Sequence, residues 1–114
     1  MDKNTKFGVL YIVATPIGNL NDISQRAIIT LNKVSLCAAE NTKNSKKILN
    51  RYNINTKLIS YHKYSEQSKL NFLISILKSG EDIALISDAG TPLISDPGYL
   101  LVNQALEEGM KVIP

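Results

Sequence analysis

Short, almost unbroken apolar runs alternate along the chain with longer segments whose apolar residues recur every three or four positions. Gly8 to Ala14 (GVLYIVA) is β-branched, aromatic and nearly wholly apolar, the pattern of a strand buried on both faces. Val34 to Ala39, Lys57 to Tyr61 (KLISY) and Asp82 to Ser87 (DIALIS) read as further strands, and Lys111-Val112-Ile113 begins a fifth. Between them lie helices. Ala27, Ile28 and Leu31 share one face of a helix from Ile23 to about Lys33, for which Asp22 is the expected cap and Gln25 the partner of a weak capping box. A second helix follows Glu40-Asn41-Thr42 and runs to about Tyr52. Ser65 is placed to cap a third, in which Leu70, Leu73, Ile74 and Leu77 form one stripe and Gly80 the stop. Asp96 as cap and Pro97 in the first turn start a fourth, ended by Gly109.

The order is βαβαβαβαβ. Repeated right-handed βαβ units give an α/β fold, an open, mainly parallel five-stranded sheet with helices on both faces. Ligands of such sheets bind outside the carboxyl ends of the strands. Two connections are therefore candidate sites: Thr15-Pro16-Ile17-Gly18-Asn19 after the first strand and Ser87 to Gly98 (SDAGTPLISDPG) after the fourth. The second is longer than the roughly 2–6 residues that join a strand to a helix. Pro92 and Pro97 stiffen it, Gly90 lets a ligand approach the backbone, and Asp88 and Thr91 offer polar contacts at the strand end. Neither loop has the GxGxxG or GxxxxGK[ST] spacing of dinucleotide or P-loop sites.

Composition narrows the class. The chain of 114 residues is long enough for one domain with its own core, and 44% hydrophobic and 20% charged residues are ordinary for a globular protein. No apolar stretch approaches the ~20 residues of a membrane span, and Met1 to Lys6 lacks the apolar core of a secretory signal, so a cytoplasmic protein is expected. Cys37, the one cysteine, sits in an apolar run and reads as a buried thiol, and no Cys/His cluster points to a metal. The net charge of +3 permits a nucleic-acid partner without requiring one.

Lys43, Lys46, Lys47 and Arg51 recur at helical spacing, opposite Ile48, Leu49 and Tyr52. The stripe reads either as a phosphate-contacting surface or as a solvated helix face. Glu40 reads as a polar substrate contact or as an acid favoured at a helix start. His62 reads as a base or as a loop histidine.

LYIVATPIGNLNDIS (Leu10 to Ser24), AENTK (Ala39 to Lys43) and ALISDAGTPLISDPGYLLV (Ala84 to Val102) closely resemble the ribosomal RNA small-subunit methyltransferase I family of the tetrapyrrole-methylase superfamily. The resemblance runs through nearly the whole chain, and its TPIGN and SDAGTPLISDPG segments are highly specific. It implies two α/β domains with S-adenosylmethionine between them. Residues 1–114 match the first, cofactor-binding domain, and the family's second domain is absent from this chain. It further implies transfer of methyl to the ribose 2′-hydroxyl of a cytidine in 16S RNA. Pro16, Ala89, Gly90, Thr91 and Ile94 carry over as cofactor contacts, with Asp88 beside them. Glu40, Lys43, Lys46 and Lys47 are the candidate substrate contacts. The partner implied is small-subunit ribosomal RNA or the assembled subunit, with a homodimer as the assembly and no membrane. The family usually reads EDTR where this chain has Glu40-Asn41-Thr42-Lys43, so one carboxylate is replaced by an amide and a bidentate guanidinium by an ammonium. No residue is assigned as the catalytic base. Two other readings stand beside this one: methylation of a tetrapyrrole or other small substrate, and a truncated fragment that folds without turnover.

Overall fold

The computed structural model describes residues 6–16, 20–62, 66–88 and 96–114. Ten elements follow one another: β1 (Val9–Thr15), a 3-10 turn (Leu20–Asp22), α1 (Gln25–Lys33), β2 (Leu36–Ala39), α2 (Thr42–Arg51), β3 (Lys57–Ser60), α3 (Glu66–Lys78), β4 (Ile83–Asp88), α4 (Asp96–Glu107) and β5 (Lys111–Ile113). The sheet has five strands, all parallel, in the order β3-β2-β4-β1-β5. This is the α/β architecture expected from the alternation of apolar runs.

Two apolar clusters fill the two faces. Leu70, Leu73, Ile74 and Leu77 of α3 and Leu101 and Ala105 of α4 pack on Leu10, Ile83 and Leu85. Ala27 and Leu31 of α1 and Ile48 and Leu49 of α2 pack on Val13, Cys37, Ala84 and Ile86. Alternate residues of β4 thus feed opposite clusters, as strand geometry requires. The connections after β1 and β2 run toward β3 and place their helices on one face. Those after β3 and β4 run the other way and place theirs on the opposite face, as right-handed crossovers demand.

Several boundaries depart from the sequence expectation. Ser24, rather than Asp22, caps α1, its Oγ accepting from the Ala27 N–H at 3.0 Å. Asp22 lies in the 3-10 turn, and with Ser24 at the cap Gln25 falls too early for a capping box. β2 starts at Leu36, because Val34 closes α1 through its N–H to the Thr30 carbonyl. The expected cap Ser65 lies outside the described residues. Gly80 and Gly109 stop α3 and α4 with φ of +97° and +81°, a conformation that favours glycine.

The amino edge of the sheet is held by contacts with no local signature. The Val9 N–H donates to Asp82 Oδ1 at 2.8 Å, the Ser35 N–H donates to the Asp82 carbonyl at 2.9 Å, and the Gly8 N–H donates to the Leu77 carbonyl at 2.7 Å. At Gly8 the chain passes so near β4's approach that a Cβ would lie 1.8 Å from the Glu81 carbonyl oxygen.

Two predictions follow from this packing. Gly8→Ala forces backbone apart, and the expected loss of about 1–3 kcal/mol would appear as a lower urea midpoint; an unchanged midpoint would remove the close approach from the account. Cys37 is fully buried, and burial pushes its thiol from 9.0 up to about 12. The unfolded chain therefore releases this proton before the folded one. Stability is expected to fall as pH rises from 9 toward 12, and Cys37→Ala to flatten that slope. Native protein should also react with a thiol reagent at about pH 8 far more slowly than urea-unfolded protein.

Candidate functional site at the carboxyl edge

β1 and β4 lie side by side with Leu10 opposite Ile83 and, five pairs later, Thr15 opposite Asp88. Both strands end at this last pair, so their connections start about one strand spacing, ~4.8 Å, apart. The connection after β1 leads to α1 on one face and that after β4 to α4 on the other. Such divergence opens a crevice at a sheet's carboxyl edge. The two loops singled out in the sequence, 72 residues apart at Pro16 and Asp88 by their numbering, thus start from neighbouring points.

Pro16 is buried directly after β1, and its carbonyl accepts from Asn44 Nδ2 at 3.5 Å. Asp88 is the last residue of β4. Ile17 to Asn19 and the remaining expected cofactor contacts, Ala89, Gly90, Thr91 and Ile94, lie outside the described residues. Thr15 is fully buried, and its Oγ1 has no hydrogen-bond partner among the described residues; the same holds for Ser45 Oγ on α2. Buried hydroxyls without partners are rare, and these two mark a polar spot at this end of the sheet. Beside β1 a cleft of about 220 Å³ opens between Ile12 to Ala14, the first turn of α1 with Ser24 and Arg26, and Ile113-Pro114.

The substrate-side candidates separate. Glu40 is exposed immediately after β2. Lys43 and Lys46 line a groove of about 640 Å³ beside β3, with Thr42, Asn50, Asn55, Thr56 and Ser60. Lys47 is exposed outside that lining, and Arg51 turns away to Asn21, its Nη2 donating to Oδ1 at 2.6 Å. The four-residue basic stripe is therefore divided between two flanks of α2. His62 follows β3 at the same edge, half-buried.

Sequence reasoning missed the ties between α2 and the first loop. The Tyr52 hydroxyl donates to the Leu20 carbonyl at 2.6 Å, and together with Asn44 and Arg51 it ties α2 and its C-cap to Pro16, Leu20 and Asn21. Each of these bonds crosses about 30 positions of sequence, and no local pattern announces it. The Asn41 change from the family pattern acquires a physical reading here: its Oδ1 accepts from the Asn44 N–H at 3.1 Å and caps α2. Asn and Asp cap equally well, so the fold keeps this turn with either.

Asn41→Ala is expected to cost about 1 kcal/mol in thermal or urea unfolding, with Asn41→Asp restoring it; an Asp variant no better than Ala would contradict the capping role.

The model of the family described as Tetrapyrrole (Corrin/Porphyrin) Methylases matches residues 9–114. A Mycoplasmopsis pulmonis protein named Ribosomal RNA small subunit methyltransferase I is 54% identical over 107 residues, covering 92% of this chain and 48% of the relative. A Haemophilus influenzae protein of the same name is 55% identical over 107 residues, covering 94% of this chain and 38% of the relative. The chain thus spans less than half the length of these relatives. Among solved structures, a uroporphyrin-III-C-methyltransferase from Thermus thermophilus superposes with a TM-score of 0.70 at 15% identity, over 94% of this chain and 47% of that one. A diphthine synthase superposes with a TM-score of 0.71 at 14% identity, over 93% and 43%. Fold and sequence agree: the chain belongs to the tetrapyrrole methylase family, and within it resembles the ribosomal RNA small-subunit methyltransferase I proteins.

Proposed function

We propose that residues 1–114 form the cofactor-binding domain of an S-adenosylmethionine-dependent enzyme that methylates a cytidine ribose 2′-hydroxyl in small-subunit ribosomal RNA. The observation that carries this reading is the 54% identity over 107 residues to a protein named for small-subunit ribosomal RNA methylation. The enzyme would work in the cytoplasm, on the ribosomal RNA or the assembled subunit.

The residues at the carboxyl edge fit the cofactor. Its amino acid and nucleoside parts need hydroxyl, backbone and carboxylate partners around an apolar wall. Buried Pro16 offers wall, Asp88 a carboxylate, and Ala89, Gly90, Thr91 and Ile94 a short-side-chain loop with little to obstruct close approach. Bound there, S-adenosylmethionine supplies a methyl already activated on a sulfonium. The chain's own task is then positioning, which converts an encounter of two molecules into a reaction within one complex. The rigid β1–β4 pair sets where the two loops begin, and bonds from α2 and its C-cap fasten Pro16 and Leu20. Glu40, on the neighbouring β2–α2 connection, and Lys43, Lys46 and Lys47, on α2, are the proposed substrate contacts.

Calorimetric titration of the chain with S-adenosylmethionine should give a saturable heat, and Gly90→Val should weaken it at least about tenfold, the size of ~1.4 kcal/mol. A chimera in which residues 1–114 replace the matching segment of the Haemophilus influenzae relative should produce 2′-O-methylcytidine in small subunits, read by nucleoside mass spectrometry. No binding heat together with no 2′-O-methylcytidine would overturn the reading; a methylated tetrapyrrole in place of RNA would redirect it to another substrate.

A further inference from the structure

We propose that the groove between α2 and the outer edge of β3 is a track for the phosphate backbone of single-stranded RNA, leading to the carboxyl edge of the sheet. This rests on the RNA methyltransferase reading above and adds to it the surface by which the RNA arrives.

Three features carry the inference. The first is shape and size. The groove holds about 640 Å³, within the ~300–1,000 Å³ range of sites that engulf a small ligand. It suits a nucleotide or two of a single strand, whereas double-stranded RNA is read across surfaces spanning ~16 base pairs. The second is charge. Lys43 and Lys46 are exposed on its wall, and no acidic residue is among the described residues that line it. Around these stand Asn50, Asn55, Thr56 and Ser60, neutral donors and acceptors suited to phosphate and ribose oxygens. Among the described residues no aromatic ring lines the groove, and this polar lining suits contacts to a nucleic-acid backbone.

The third is direction. The groove reaches Thr42 and Ser60, the first residue of α2 and the last of β3, both at the carboxyl edge. The same first turns of α2 touch the other loop: Asn44, two residues from Thr42, donates to the Pro16 carbonyl. A strand leaving the groove at this end therefore emerges next to the loop proposed to hold the methyl donor. Arg51 and Tyr52, on the opposite flank, are engaged with Asn21 and Leu20, whereas Lys43 and Lys46 are exposed in the groove.

The test is the salt dependence of binding of a fluorescent single-stranded RNA of about 12 nucleotides to the 114-residue chain, followed by anisotropy. The slope of log affinity against log salt should fall by about 1.4 in K43Q/K46Q, two phosphate contacts at ~0.7 each for a single strand. N50D/N55D, which brings carboxylates into the groove without touching a lysine, should weaken binding at every salt concentration. K111Q, on β5 at the far edge of the sheet, should leave the slope unchanged. Circular dichroism of each variant separates lost binding from lost folding. All three variants should bind S-adenosylmethionine like the wild type. If K43Q/K46Q and K111Q lower the slope equally, the groove is not the track and the proposal fails. If wild-type chain binds the cofactor but no RNA, the proposal fails while the methyltransferase reading stands; if it binds neither and the chimera yields no 2′-O-methylcytidine, that reading fails with it. A concentration-dependent dimer that forms through β3 and is blocked by the groove variants, with RNA binding unaffected, would reassign the edge to strand pairing and overturn the proposal.

Discussion

The pairing of β1 with β4 is the constraint on which the rest of the molecule depends. It joins residues 73 positions apart, Leu10 with Ile83 through Thr15 with Asp88, and every other element is threaded between them or hung from them. A parallel pair needs a crossover, and here that crossover contains two further strands and three helices. Register is set at the amino end, where Asp82 accepts the Val9 N–H and the bare Gly8 passes against the Glu81 carbonyl. A slip of one residue would send Leu10 and Val13 to the wrong clusters and separate Thr15 from Asp88. The same register that builds the core therefore also sets where the two candidate loops begin.

From that pair the two faces follow. Connections that leave β1 and β4 in opposite directions must put α1 and α4 on opposite sides of the sheet, and the crevice lies where they part. α2 contributes twice. One flank fastens the segment after β1 through Asn44, Arg51 and Tyr52, and the other forms the wall of the polar groove beside β3. A helix that fastens the segment after β1 while presenting lysines on its far side would couple the proposed cofactor and RNA surfaces through a single rigid element.

Much of this was legible in the sequence because it is encoded by short-range pattern. Buried strands are continuous apolar runs, and the α3 stripe Leu70, Leu73, Ile74 and Leu77 is buried as its spacing predicts. The SDAGTPLISDPG segment stands out by length and by its glycines and prolines, and all of it between Asp88 and Asp96 lies outside the described residues. Boundaries moved where a competing local bond decided them: Ser24 displaced Asp22 as a cap because its hydroxyl reaches the Ala27 N–H. The features that stayed hidden are long-range side-chain bonds to backbone, such as Asp82 to Val9, Tyr52 to Leu20 and Thr56 to Leu31. Their donors and acceptors are ordinary polar residues whose meaning appears only when the chain has folded. The basic stripe shows the same limit, since helical spacing places Arg51 with the lysines and only the tertiary partner Asn21 removes it.

The central claim is that the carboxyl ends of β1 and β4 act together as one methyl-donor site. Amide hydrogen exchange of the chain with and without S-adenosylmethionine tests it most directly. The account predicts added protection in peptides spanning both 12–22 and 84–96, with α3 and β5 unchanged. Protection confined to one of these segments, or appearing only elsewhere in the chain, would contradict it.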